Sequence, residues 1–397
     1  MKILYISTLY SPNLVGGAER VAQSIAEDMA AAGHETVVLS TTPQKSSVDW
    51  INGVKVYYIN LKNIYWPYGE KANAAKAKAL WHAFDIYNPW MAREVVRILC
   101  MERPDLVHSH LVTGFSCSIW RATKQLGLPL VHTLHDYYLL CPRSTMFRDE
   151  CNCRTQCVRC QLYARPKRKP TNLVDTVVGV SNAILRRHLE FGYFDTTSQK
   201  AVIYNASPPL ASATLRSDLP SVPIQFGFLG RLDPTKGLEV LLEAVGRLPR
   251  GSWRLKVGGR GTAGYEKYLR AKYKMPEVDF AGYVNPDSFL PEIDVLVVPS
   301  VWQEPAGRVV NEAYAHGIVV VGAGIGGIPE LIEEGGTGFL FAPGDSGDLA
   351  RWMDTLIERP TMVADMRRNC LKKAERLSPE AMAEQHQKLY TEIMAKL

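Results

Sequence analysis

Hydrophobic and polar positions along this chain fall into blocks whose period keeps changing. The opening KILYIS is a short apolar run of strand type, and a loop with Pro12, Gly16 and Gly17 follows it. Then comes AERVAQSIAEDMAAAG, whose apolar residues recur at helical spacing. Strand-type runs return in ETVVLS, VKVYYI, DLVHSH, LPLVHTL, VDTVVGVS and KAVIYN, with helix-length segments such as REVVRILC and FSCSIWRATKQLG between several of them. Such alternation predicts a parallel sheet with helices on both faces. Near residue 206 it gives way to SPPLASATLRSDLPSVP, a Pro-, Ser- and Ala-rich linker, and then restarts. IQFGFLGRL, WRLKVGG, VDFAGYV, IDVLVVPS, GIVVVGAG and TGFLF are the second set of strands; LEVLLEAVGRL, YEKYLRAKYK and RVVNEAYAHG are the helices between them. The fold class expected is α/β, with doubly wound domains over 1–206 and 207–378 and a helical tail, 379–397, that packs back on one of them. Two such domains in tandem would face each other across a cleft at the carboxyl ends of their sheets.

Composition agrees with that division, since 397 residues with 46% in the AVILMFWYC set exceed one ordinary core. No run approaches the roughly 18 apolar residues of a membrane span, and MKILYISTLYSP lacks the h-region of a signal peptide. The chain is therefore expected in the cytoplasm. A formal charge of +6 favours acidic ligands or an anionic surface, and the absence of a basic stripe interleaved with aromatics argues against nucleic acid.

Candidate chemistry sits in the loops. GRLDPTKG, residues 230–237, follows the first strand of the second domain and carries Arg231 and Lys236 between two glycines. A planar fork and a point charge on one loop suit a diphosphate. In the first domain Gly16 and Gly17 precede a helix whose first amides attract phosphate, although SPNLVGGAE is not the GxGxxG dinucleotide fingerprint. SVWQEPAGRVVNEAYAHG, residues 300–317, sets Glu304 in a loop and Glu312 in a helix that starts near Gly307 and stops at Gly317. Amides of Gly307, Arg308 and Val309 at that helix start would meet an anion or a sugar hydroxyl, and Glu304 would accept from hydroxyls; Glu312 is to be read either as a ribose acceptor or as an ordinary surface residue of the helix.

Taken in order, GGAE, TLHD at 133–136, VSNAI at 180–184, VIYN at 202–205, GRLDPTKG, the E-x7-E of EPAGRVVNE and GIGGIPELI at 324–332 resemble the retaining nucleotide-sugar glycosyltransferases of family 4, whose two-Rossmann architecture is called GT-B. The resemblance covers essentially the whole chain. It implies transfer of a hexose-type sugar from a UDP- or GDP-linked donor to a saccharide acceptor in cell-surface polysaccharide or glycoconjugate assembly. It also implies that Gly16 and Gly17 meet phosphate, that Arg231 and Lys236 clamp the diphosphate, and that His135 contacts the transferred sugar. Glu304 would hold sugar hydroxyls near Gly307, Arg308 and Val309, and Glu312 the ribose; Gly258, Gly259 and Tyr283 resemble the surroundings of the base, while Asn205 and Ser181 match motif positions. Ala306 departs from the family, which usually has Phe there, and so bears on the donor-sugar pocket.

A glycosidase-like carboxylate pair would need a raised-pKa acid and a nucleophile flanking one bond. Here cations dominate, so the expected mechanism has Arg231, Lys236 and helix amides stabilise the departing diphosphate while its own oxygen deprotonates the acceptor on the same face. No metal is required for that chemistry. A nucleotide-sugar 2-epimerase lacks this motif series, and a non-catalytic sugar-nucleotide binder would not need the complete phosphate clamp. Of His108, His110, His132 and His135, all at strand ends, only His135 matches the family motif, and His132 is expected to support its strand.

Two segments keep alternatives open. Cys141, Cys151, Cys153, Cys157 and Cys160 crowd one inserted loop within 141–170, to be read either as four thiolates on a structural zinc or as buried and free thiols. A related group of family 4 enzymes in bacterial polysaccharide assembly looks similar there. Residues 64–90 combine Trp66, Tyr68, Trp81, Phe84 and Trp90 with Lys71, Lys76 and Lys78, and PKRKP at 166–170 adds a basic cluster. These suit either peripheral docking on anionic lipid beside a lipid-linked acceptor, or an amphipathic helix with a solvated basic face.

Overall fold

The apolar runs become strands covered on both faces, which is why they read as continuous rather than alternating. The computed structural model describes residues 1–69, 75–209 and 219–396. Its chain divides into a first unit of Met1–Met146, Arg154–Tyr204 and Glu380–Leu397 and a second of Phe147–Cys153 and Asn205–Pro379. Most of the linker, 210–218, lies outside the described residues.

The first unit contains β1 (Lys2–Ile6), β2 (Glu35–Thr42), β3 (Ser47–Ile51), β4 (Val54–Asn60), β5 (Leu106–Ser109) and β6 (Leu130–Leu134). A short hairpin, β7 (Phe147–Arg148) and β8 (Cys151–Asn152), groups with the second unit before β9 (Thr176–Gly179) and β10 (Gln199–Val202) complete the first. The inserted loop, placed by the sequence wholly in the first domain, thus lends Phe147–Cys153 to the second. Strand order is β10-β9-β6-β5-β1-β2-β4-β3, parallel throughout except for β3 against β4. Sequence reasoning misses β3 because SVDWI buries no face: it is exposed along nearly its whole length. The order reverses at β1, so the loops leaving β1 and β5 flank a switch point, where open parallel sheets bind ligands.

The second unit contains β11 (Ile224–Leu229), β12 (Trp253–Gly258), β13 (Val278–Gly282), β14 (Val295–Val298), β15 (Val319–Ala323) and β16 (Gly338–Phe341). They form an all-parallel sheet in the order β13-β12-β11-β14-β15-β16. Here the reversal falls between β11 and β14, the strands that lead into the Arg231–Lys236 loop and the Glu304 loop.

The tail forms a helix, Pro379–Met394, that buries Met382, His386, Leu389, Tyr390 and Ile393. It completes the first unit: the Tyr390 hydroxyl lies 2.7 Å from His108 Nδ1 and 3.4 Å from the Tyr5 hydroxyl. His108 Nε2 in turn meets Thr133 Oγ1 at 2.8 Å, which links β5 to β6.

Two expectations about surface chemistry change once the side chains are placed. Trp81 is 2% exposed and donates its indole N–H to the Tyr65 carbonyl, so it is a core residue rather than part of an interfacial face. PKRKP lies inside the Val158–Thr171 helix, and Lys167 is buried with its ammonium 3.5 Å from the centre of the Tyr138 ring. The buried Asp85 accepts from the Tyr138 hydroxyl and the Gly114 amide, and its charge favours the Lys167 ammonium. Burial pushes the Asp85 carboxyl up to about 7 despite these partners. Lys71 lies outside the described residues.

Ser181, a motif position without an assigned role, is the N-cap of the Asn182–Glu190 helix, where its hydroxyl accepts from the Ile184 amide at 3.2 Å. Ser181→Ala is expected to lower the stability of the first unit by about 1 kcal/mol. Urea denaturation would check this, and an unchanged midpoint would remove the capping role.

Candidate functional site

In the second unit, Gly230 follows β11 and the chain turns through Arg231 and a 3-10 turn, Pro234–Lys236, capped by the Asp233 carboxylate on the Thr235 amide. Gly237 closes the turn at φ +67°, and a Cβ there would sit 1.8 Å from the Pro299 carbonyl oxygen. Only glycine allows this loop to lie so close to the end of β14. The approach is held by the Val301 amide donating to the Thr235 carbonyl at 3.0 Å.

That proximity brings Lys236 to Glu304, 68 positions away in sequence. Lys236 Nζ lies 2.5 Å from Glu304 Oε1, and the Ser300 hydroxyl donates to the same oxygen at 2.6 Å. Glu304 is 7% exposed. Burial alone would raise its carboxyl, but the Lys236 charge and hydrogen bonds from Lys236, Ser300 and Trp302 hold it below the ordinary glutamate range. It is therefore an ionised acceptor in a low-dielectric setting, suited to hydroxyl groups. Arg231, by contrast, is exposed on the same loop.

The backbone on either side of Glu304 is fixed. The Glu304 carbonyl accepts from the Gly327 amide at 2.8 Å, and Gly326 passes so close that a Cβ would lie 2.4 Å from that carbonyl oxygen. Asn152, in β8, gives its amide to the Val301 carbonyl at 2.8 Å and takes the Gln303 amide at 2.9 Å. Its side chain thus pairs with the Glu304 loop as a neighbouring strand would. No local pattern marks Asn152 for this role; its neighbours in the sequence are cysteines.

The helix predicted near Gly307 runs Arg308–Ala315 with Gly307 as N-cap. Its start is narrower as an amide donor than the sequence implies, because the Arg308 amide already donates to the Ala306 carbonyl at 2.9 Å. The Arg308 guanidinium reaches Glu312 Oε1 with Nε at 2.9 Å and Nη2 at 2.7 Å. Asn205 is buried and its carbonyl takes the Asn311 side-chain amide at 2.7 Å, while its own Oδ1 meets no partner. Gly258 is buried where a Cβ would press on Val284, so the position admits only glycine. Gly259 stands at φ +143°, where a Cβ would lie 1.8 Å from the Gly230 carbonyl oxygen. Tyr283 is 74% exposed with the Arg260 guanidinium over its ring.

In the first unit, Gly16 is the N-cap of the Gly17–Ala31 helix, and the Glu19 carboxylate turns back onto the Gly16 amide at 3.0 Å. Both glycines are exposed. His135 follows β6, and His110 follows β5 beside it: His110 Nδ1 and His135 Nε2 are 2.9 Å apart. His132 instead pairs with the Ser109 hydroxyl at 2.9 Å and packs on Trp120, the supporting role expected of it. Burial, with neighbouring imidazoles, pushes His108 and His110 well below the ordinary histidine range and takes His132 and His135 to about 3.

The cysteines separate. Cys151 and Cys153 group with the second unit, and Cys141, Cys157 and Cys160 with the first. The sulfurs of Cys141 and Cys160 are 3.6 Å apart, and burial followed by the neighbouring Cys141 and Cys157 thiols pushes the Cys160 thiol well up. Among the described residues no group of three or more His, Cys, Asp or Glu side chains is arranged to hold a metal ion.

The chain resembles known proteins in sequence and in fold. Residues 15–206 match the family model Glycosyltransferase Family 4, and 223–359 match Glycosyl transferases group 1. An uncharacterized 42.6 kDa protein in the cps region of Klebsiella pneumoniae is 33% identical over 336 residues, 83% of this chain and 87% of its own. Sucrose-phosphate synthase from Thermosynechococcus elongatus superimposes with a TM-score of 0.77 at 20% identity, over all of both chains. HepE of Anabaena in complex with UDP superimposes at 0.73 with 21% identity, over 99% of this chain and 100% of that one.

Proposed function

The chain belongs to glycosyltransferase family 4, and from that premise we propose that it is a retaining hexosyltransferase using a UDP- or GDP-linked sugar. The carrying observation is the pairing of half-buried Lys236 with buried Glu304, with exposed Arg231 on the same loop at the switch point of the second unit. In this reading Arg231 and Lys236 hold the diphosphate, Glu304 accepts from sugar hydroxyls and Glu312 from the ribose. As the bond between the anomeric carbon and the diphosphate oxygen breaks, the cations stabilise the charge that develops there. The acceptor hydroxyl bonds to the same face of that carbon and passes its proton to the departing diphosphate. Configuration is kept, and no enzyme carboxylate forms a bond to the sugar. The Anabaena relative bound to UDP favours a uridine donor.

Calorimetric titration of UDP and GDP into the wild type and Arg231→Ala tests the clamp. Arg231 is exposed, so its removal leaves the Glu304 pair intact. One nucleotide is expected to bind, with affinity falling about tenfold or more in the variant, the scale of one charge-assisted hydrogen bond. Binding of neither nucleotide would overturn the reading.

The acceptor in this proposal is a lipid-linked saccharide. Among the described residues no helix is long and apolar enough to cross a membrane. The first unit instead exposes Leu80, Phe84 and Trp90 on its Ala75–Phe84 and Pro89–Glu102 helices and Tyr87 in the turn between them, with Lys76, Lys78, Arg93 and Arg97 exposed beside them. Apolar rings flanked by cations suit an anionic interface. Sedimentation with anionic liposomes at low salt is expected for the wild type and is expected to weaken in Phe84→Ala/Trp90→Ala. A wild type that stays in the supernatant would exclude autonomous docking.

A further inference from the structure

We propose that His110 is a positioning residue for His135: it donates its Nδ1–H to Nε2 of His135 and thereby fixes His135 as the tautomer that carries its own proton on Nδ1. The geometry is specific. His110 Nδ1 lies 2.9 Å from His135 Nε2, and the two rings stack with centroids 5.2 Å apart at 29°. His110 is 2% exposed, and its other nitrogen, Nε2, is buried with no hydrogen-bond partner.

Both rings are held neutral by burial, so each carries one proton and a single N–H occupies the contact between them. If His135 donated, His110 would have to hold its proton on Nε2, where no protein group lies within hydrogen-bond reach. An unmet buried N–H is rarer than an unmet lone pair. The proton of His110 therefore belongs on Nδ1, where it is used. His135 must then accept at Nε2 and keep Nδ1–H as its remaining donor.

His110 cannot readily turn away. One face of its ring lies against His108, with centroids 4.1 Å apart, and His108 is itself tied at both nitrogens to Tyr390 and Thr133. Tyr5 lies 6.0 Å away on the neighbouring β1. The arrangement starts at the tail helix and β6, passes through His108 and orients the ring that orients His135. The consequence for chemistry rests on the proposed contact of His135 with the transferred sugar: His135 offers a proton to a sugar hydroxyl oxygen and does not accept one from it.

The tautomer can be read directly and without any ligand. In ¹⁵N-histidine-labelled wild type, with the His135 signals identified by their loss in His135→Asn, Nδ1 is expected to appear protonated and Nε2 unprotonated. A spectrum with His135 protonated on Nε2 would overturn the proposal. His110→Phe keeps the ring and removes the donor. It is expected to release the His135 tautomer and lower kcat about tenfold, the scale on which a histidine's orienting partner is felt, with nucleotide affinity unchanged. His110→Asn places an amide donor where Nδ1 stood and is expected to restore both tautomer and rate. Equal loss in the two variants, or full kcat with the Nδ1–H form retained in His110→Phe, would also overturn it. If His110→Phe does not fold, the wild-type spectrum and His110→Asn still decide. A protein that binds neither UDP nor GDP yet shows the expected tautomer would sink the donor reading and leave this one standing.

Discussion

Lowering the pH from about 7.5 to about 5.5 is expected to reduce the melting temperature of the first unit by about 15 °C and to leave that of the second almost unmoved. Seven imidazoles carry most of this expectation: His82, His108, His110, His132, His135, His188 and His386 all belong to the first unit, and burial pushes every one of them down. His188 and His386 go to about 4. For a base with a depressed folded pKa, the unfolded chain takes up the proton first. Stability is therefore fully present above the unfolded value near 6.5 and falls as pH drops below it. At about one unit below, each group costs about 1.4 kcal/mol, so seven cost about 10. Asp85 and Asp136 act in the opposite sense, since burial raises their carboxyls to about 7 and about 6 and acid relieves that penalty. Their relief returns about 3 kcal/mol, leaving a net loss of about 7, a large share of an ordinary domain's stability. The second unit has one histidine, His316. Scanning calorimetry at the two pH values separates the transitions, and two transitions that shift together would refute the assignment.

The second large effect concerns Lys236→Met. Removing the ammonium leaves Glu304 buried with a neutral hydroxyl as a remaining partner, and breaking a buried pair from one side costs about 3–5 kcal/mol. The partly exposed lysine, 22% at its side chain, puts the expectation at about 3. Nucleotide binding should disappear with the charge. The pH dependence has a definite sign. In the wild type the depressed Glu304 carboxyl contributes stability above the unfolded glutamate value, lost as pH falls through its folded one. In the variant the unpaired carboxyl is raised, so its penalty is greatest at neutral pH and fades in acid. The gap between the two proteins therefore narrows as pH falls. Lys236→Met/Glu304→Gln removes both charges and is expected to recover most of the stability in urea denaturation while still binding no nucleotide. A double variant as unstable as the single one would show that the ion pair is not the cause.

Much of the scaffold was legible because parallel strands buried on both faces advertise themselves as uninterrupted apolar runs, as VLVV and VVVGA do. The loops that carry Lys236, Glu304 and His135 could be found for a related reason: each follows such a run. What could not be read were partnerships across sequence. The Lys236–Glu304 contact depends on Gly237 lying against Pro299, and nothing in GRLDPTKG names Pro299 as its neighbour. His110 looked like one more strand-end histidine until β5 and β6 were paired, His108 against Val131 and Ser109 against His132. Aromatic and basic composition misled at Trp81 and Lys167, because a segment's composition does not say which of its side chains turns inward. Asn152 had no signal at all, since its role depends on two backbone groups of residues 301 and 303.

The tail helix sets an order of events during synthesis. Because Glu380–Leu397 belongs to the first unit while Asn205–Pro379 forms the bulk of the second, the ribosome delivers every residue of the later unit before the last pieces of the earlier one. The second unit can close while the first still waits, with Tyr5 and His108 lacking the Tyr390 hydroxyl that meets them in the finished protein. The amino-terminal half is thus the last to mature, and a ribosome stalled short of codon 380 would leave a chain with a completed second unit and an open first one.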